Sequence, residues 1–161
     1  MPTTLPSVAN GAVAWGDYDQ DGDLDLFIAG QVASGRASRI YRNDTSVFTN
    51  LSAPLPTVDD GAAAWGDYDN DGDLDLLLTG NDGANPLTNL YRNDGGNAFT
   101  PLNPALPGVS NSAVAWGDYD NDGDLDVVLA GNSSGGRITR LYRNDNLTLV
   151  DTNANLPGLT D

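Results

Sequence analysis

The chain has 161 residues and a formal net charge of −16, from 23 acidic and 7 basic side chains, a balance that argues against nucleic acid or an anionic membrane as partner. It holds no Cys and no His, which removes disulfides, thiolate metal sites, the usual general base and the usual transition-metal ligand. Every acidic residue is Asp and every basic one is Arg; with 19 Gly and 9 Pro this is a vocabulary of strands and turns rather than of helices.

The sequence repeats itself three times. Trp15, Trp65 and Trp116 lie 50 and 51 residues apart, and Leu5-Pro6, Leu55-Pro56, Leu106-Pro107 and Leu156-Pro157 mark seams at the same spacing. The extra residue falls at Gly95-Gly96, inside an expected turn, where an insertion costs little. Residues 1–55, 56–105 and 106–161 are therefore read as three repeats of one domain.

Each repeat predicts four short strands. The first is Gly11 to Trp15, with Gly61 to Trp65 and Ser112 to Trp116 as copies; its small side chains suit an inner strand near a crowded axis. The second carries Leu24, Leu26 and Ile28 on one face at period two, matched by Leu74, Leu76, Leu78 and by Leu125, Val127, Leu129. The third runs from Ser38 to Arg42, Thr88 to Arg92 and Thr139 to Arg143. Turns at Asn43-Asp44, Asn93-Asp94 and Asn144-Asp145 then lead to a fourth strand around Phe48, Phe99 and Leu149. Four antiparallel strands per repeat describe an all-β fold of propeller blades. A Trp recurring once per blade is read as blade-to-blade packing.

Between the first two strands lies Asp17-Tyr18-Asp19-Gln20-Asp21-Gly22-Asp23-Leu24-Asp25, which recurs at 67–75 and 118–126. Fifteen of the 23 acidic residues fall in these three segments. Carboxylates at loop positions 1, 3 and 5 converge when the chain wraps tightly, glycine at position 6 permits the sharp turn, and position 7 offers its backbone carbonyl. Such an oxygen cage suits Ca²⁺ better than Mg²⁺, which demands a small octahedron and keeps its waters. The expected metal residues are Asp17, Asp19, Asp21, Asp23 and Asp25; Asp67, Asp69, Asp71, Asp73 and Asp75; and Asp118, Asp120, Asp122, Asp124 and Asp126. Positions 1, 3, 5 and 9 use side chains, and Asp23, Asp73 and Asp124 use backbone oxygens. Three Ca²⁺ per chain would bring the net charge from −16 to −10. The loop is not an EF-hand, because position 9 is Asp and a strand follows directly.

The run from Ala64 to Gly80, Ala-Trp-Gly-Asp-Tyr-Asp-Asn-Asp-Gly-Asp-Leu-Asp followed by Leu-Leu-Leu-Thr-Gly, resembles an FG-GAP repeat, also met as the VCBS type. Such repeats build the β-propeller of integrin α subunits and of many bacterial surface and secreted proteins. The resemblance implies blades whose strand 1–2 hairpins hold structural Ca²⁺ on one face, with ligands on the aspartates named above. Two departures stand out: the family's Phe-Gly is Trp-Gly here, and its Gly-Ala-Pro after the second strand is reduced to Ala-Gly or Thr-Gly at Gly30, Gly80 and Gly131.

Closed propellers typically have four to eight blades, so three leave two open faces. A homodimer closing a six-bladed ring is the expected answer, and the closely similar repeats, starting and ending at equivalent seams, suggest an engineered or excised propeller fragment. No signal peptide opens the chain, yet the calcium loops point to an extracellular or cell-surface setting.

The expected function is a calcium-stabilised scaffold or adhesion-type protein-interaction module. Its contacts would lie opposite the calcium loops, on the variable strand 2–3 connections (Gln31 to Ser38, Asn81 to Thr88, Asn132 to Thr139) and the strand 4–1 connections. The alternative is a lectin binding glycans between blades, with Trp15, Trp65 and Trp116 as stacking platforms. Catalysis is not expected: without His, Cys, Lys or Glu, only Asp and Tyr are left as acid or base.

Overall fold

The computed structural model describes residues 4–154 and 156–158; the outer ends of the first and third repeats, 1–3 and 159–161, lie outside the described residues. The described residues form three four-stranded antiparallel sheets, each a meander in which sequence neighbours pair. The first comprises β1 (Ala9–Gly16), β2 (Asp25–Val32), β3 (Gly35–Asp44) and β4 (Val47–Leu51). The second comprises β5 (Ala63–Gly66), β6 (Asp75–Asn81), β7 (Pro86–Asn93) and β8 (Phe99–Leu102), and the third β9 (Ser110–Gly117), β10 (Asp126–Ser133), β11 (Gly136–Asn144) and β12 (Leu149–Asp151). Short β-prone runs separated by Asn, Asp and Gly favour this arrangement, since each hairpin forms locally before the sheets stack.

The second strands of the first two sheets depart from one-sided alternation. Leu26, Phe27 and Ile28 are all buried, as are Leu76, Leu77 and Leu78. Stacking explains it in the second sheet, which has a neighbour on each face and so buries both sets of alternating side chains; in the first, Leu26 and Ile28 are covered by Tyr41, Val8 and Phe48 of their own repeat. Leu76 and Leu78 join Phe27 and Ile40 in one core between the first two sheets. Leu77 and Leu90 meet Val127 and Leu129 in a second core between sheets two and three. Each fully buried aliphatic side chain contributes roughly 1.5–3 kcal/mol, so these two cores hold the sheets in register.

The tryptophans sit at the same seams. Trp65 stacks on Tyr18 of the preceding sheet at 6.1 Å between ring centroids. A Cβ at Gly16 would come within 2.8 Å of the Trp65 indole, and one at Gly66 within 2.6 Å of Trp116. Glycine after each tryptophan therefore makes room for the tryptophan of the next blade. Along the inner edge, Asp60 N donates to Asn10 O at 2.9 Å and Asn111 N donates to Asp60 O at 2.5 Å, linking three equivalent positions across the blades.

Two expectations about connections need correction. The turns do not fall at Asn43-Asp44 and Asn144-Asp145. The third strand continues through Asn43 and Asp44, which pair with Phe48 and Val47. Thr45 and Ser46 make the turn at φ 52° and 72°, and Asn146 and Leu147 repeat it at 49° and 65°. Two successive positive φ values match the twist of the flanking strands, as in a type I′ turn. In the second sheet the turn lies at Gly95–Asn97, where Ala98 N donates back to Gly95 O. The strand 2–3 connections are also shorter than the sequence suggests. Strand pairing consumes most of them, down to Val32↔Gly35 and Ser133↔Gly136.

Candidate metal centre

Each acidic segment closes the hairpin between a first and a second strand, with Gly16 opposite Asp25, Gly66 opposite Asp75 and Gly117 opposite Asp126. The loop builds itself from its own carboxylates. Asp17 accepts from the Asp21 and Gly22 amides at 3.1 Å, and Asp21 accepts from Asp23 N at 2.8 Å. Asp67 and Asp71 repeat this pattern, as do Asp118 and Asp122. Glycine at position 6 takes φ of 92°, 97° and 96° at Gly22, Gly72 and Gly123, a conformation that costs an L-residue about 1–2 kcal/mol.

The wrap brings selected carboxylates together. In the second and third loops, Asp67, Asp69 and Asp71, and Asp118, Asp120 and Asp122, place oxygens within 4.8 Å of one another; in the first, Asp17, Asp19 and Asp25 do so. At that separation a pair of like charges repels by roughly 3 kcal/mol at an effective dielectric near 20. Desolvation, then the neighbouring carboxylate at position 5, raises the pKa of Asp19, Asp69 and Asp120. Oδ1 of Asp69 is buried and makes no hydrogen bond among the described residues.

Position 9 is deeper. Asp25, Asp75 and Asp126 are buried, each accepting one amide from position 2 and one from the third strand, at 2.8–3.0 Å. Burial pushes Asp75 up to about 6, against the pull of its two amide donors, with Asp69 and Asp71 adding to the rise. Position 7 side chains turn elsewhere. Asp23 accepts from Thr45 N at 2.7 Å, Asp73 from Gln20 Nε2 at 2.7 Å and Asp124 from Asn70 Nδ2 at 2.7 Å. Their side chains lie outside the three carboxylate clusters.

Sequence reading missed the residues that lock the loops to their surroundings. Asn43, Asn93 and Asn144 each stand 18 residues after position 9 and donate their backbone amide to it. The side chains of Asn93 and Asn144 also donate to Tyr18 O and Tyr68 O of the preceding blade at 2.8 and 3.0 Å. Position 4 joins neighbouring loops: Gln20 reaches Gly72 O and Asp73, and Asn70 reaches Asp124. The constant offset from the loop was the available signal. The recurring arginines pair with acidic neighbours, Arg42 with Asp44, Arg92 with Asp94 and Arg143 with Asp145, at 2.7–2.8 Å. Such exposed pairs are screened by solvent and contribute little.

The FG-GAP-like repeat profile matches residues 17–78 and again 67–129, each match running from one acidic loop into the second strand of the following blade. The chain belongs to the FG-GAP-like repeat family. That assignment rests on the repeat itself and points to no integrin in particular. Comparison with curated proteins finds no match, and comparison with solved structures finds none. FG-GAP repeats are typical of extracellular proteins, and no helix among the described residues is long and apolar enough to cross a membrane.

Proposed function

We propose that each FG-GAP-like loop binds one Ca²⁺, and that the three ions stabilise a non-enzymatic, extracellular scaffold of the adhesion or protein-interaction type. The observation that carries this reading is the buried, unpartnered Oδ1 of Asp69 beside the carboxylates of Asp67 and Asp71. A buried charged oxygen with no donor costs several kcal/mol, and a hard cation with oxygen ligands removes that cost. Side chains at positions 1, 3, 5 and 9 and the backbone oxygen at position 7 would hold the ion. Bound calcium would then fix the hairpins that Gln20 and Asn70 tie to the next blade.

The interaction surface would lie at the opposite end of the blades, on the strand 2–3 turns and 4–1 connections. Tight hairpins there make the longer 4–1 connections the main variable feature. A second reading, glycan binding between blades, is favoured by one groove of about 350 Å³ between the second and third blades, where Tyr68, Arg92 and Asn103 converge. Trp65 and Trp116 already pack on neighbouring blades and offer no free stacking platform there.

Thermal melting with and without chelator tests the calcium reading. At calcium tenfold above Kd each site adds ~1.4 kcal/mol, so three add ~4 kcal/mol. That corresponds to a rise in Tm of about 8–16 °C for a chain of this size. A melting temperature indifferent to calcium, with no heat in a calcium titration, would sink it.

A further inference from the structure

The two blade-to-blade seams share one set of contacts, and both halves of that set recur at the open faces of the assembly. At each internal seam the earlier blade offers a tyrosine and a glycine, and the later blade offers a tryptophan and the turn before its fourth strand. Tyr18 donates to Asn97 Oδ1 at 2.6 Å, and Tyr68 donates to Leu147 O in the equivalent turn. Trp65 and Trp116 donate their indole N–H to Ala14 O and Ala64 O at 3.4 and 3.3 Å.

The third blade carries the giving half with nothing seated on it. Tyr119 is 46% exposed, whereas Tyr18 is 1% and Tyr68 4% exposed. Val128 is 38% exposed where its counterparts Phe27 and Leu77 are fully buried. Among the described residues no atom lies within 4 Å of the place a Cβ would take at Gly117, the position that at Gly16 and Gly66 is filled by indole. The first blade carries the receiving half: Trp15 is 56% exposed and touches only its own Phe48 among the rings.

We propose that these faces are one interface, and that the third blade of one chain takes the first blade of a second copy, twice over, closing a six-bladed ring. Trp15 of the copy would lie over Gly117, and Tyr119 would reach the turn at Ser46. Asn121, the counterpart of Gln20 and Asn70, would donate to Asp23. Asn43 supports the match: its side chain donates to Leu24 O of its own loop, whereas Asn93 and Asn144 donate to the preceding blade's tyrosine carbonyl. The occupant is a second copy because each open face carries the half of the seam that the other lacks. Two copies of the three described blades make six, within the four to eight that a closed propeller accommodates. A heterologous contact that closes after two copies is self-limiting rather than fibre-forming.

Light scattering on a sizing column, in millimolar calcium, tests this directly. The expected mass is twice the 16.8 kDa of one chain. Gly117→Leu fills the space reserved for Trp15, and its Cβ meets no atom of the described residues within 4 Å. It should therefore halve the mass while leaving the circular dichroism spectrum and the heat of calcium binding unchanged. Trp15→Ala should weaken the dimer in the same way. A wild-type chain that stays monomeric at every concentration would overturn the proposal, as would a mass of three or more chains. A Gly117→Leu variant that remains dimeric would overturn it too. None of these outcomes bears on calcium binding, which the unchanged heat reports separately.

Discussion

Replacing Trp65 with alanine should uncouple the first blade from the second. The ring stacks on Tyr18 at 6.1 Å with 14° between planes and tilts against Phe99 at 6.1 Å. Its indole N–H reaches Ala14 O at 3.4 Å, near the outer limit of a hydrogen bond. Burying most of the 150–250 Å² of an aromatic side chain contributes about 3 kcal/mol at ~25 cal/mol per Å². The two ring contacts add about 1 kcal/mol, so the expected loss is about 4 kcal/mol. For a chain of this size that lowers Tm by about 8–16 °C, measured by calorimetry in millimolar calcium. Trp116→Ala should cost somewhat less, because Trp116 has one ring partner, Tyr68, where Trp65 has two. In a repeat array stability is a sum over neighbouring interfaces, so the two losses should also differ in place. Hydrogen exchange should accelerate first in β2 for Trp65→Ala and first in β10 for Trp116→Ala. A fall in Tm below about 3 °C for Trp65→Ala, under the range that the burial implies, would refute the view that indole packing couples the blades.

Two further outcomes follow from the loops and turns. Asp75 holds its proton up to about 6 in the folded chain against an ordinary 3.8, so its ionisation weakens the calcium-free fold as pH rises between those values. In chelator the chain should melt at lower temperature at pH 7 than at pH 5, and calcium should reverse that order; calorimetry at the two pH values checks it. Thr45→Asn with Ser46→Gly puts residues suited to positive φ where the chain already turns at 52° and 72°. The double variant should raise stability by about 1 kcal/mol in urea melts, and no gain would refute the turn assignment.

The repeat, the all-β blades and the acidic hairpins were legible because each depends on short-range chemistry. Asp17, Asp21 and Gly22 satisfy one another within five residues, so their pattern survives in any sequence that makes the loop. What spacing could not show was the second neighbour. Leu76, Leu77 and Leu78 read as a strand with one apolar face, yet stacking between two neighbours makes both faces interior. The misplaced turns have a similar origin. Asn-Asp is a strong turn signal, but Asn43 and Asn93 have a better use as donors to Asp25 and Asp75. The real turn in the first blade falls on Thr45-Ser46, and a β-branched residue gives no hint of positive φ.

The Trp-Gly pair shows how a local motif can encode a contact fifty residues away. Taken alone, Trp15-Gly16 reads as a large residue followed by a flexible one. In the fold the two act in opposite directions: the tryptophans of the second and third blades lean back on the blade before, and the glycines of the first and second clear space for the tryptophan of the blade after. Among the described residues Trp15 and Gly117 lack such a partner, with an exposed indole on one face and open space on the other. The same substitution therefore has opposite meanings along the sequence. A side chain at Gly16 or Gly66 strikes indole within its own chain, whereas a Cβ at Gly117 meets none of the described residues and would strike only a docked partner.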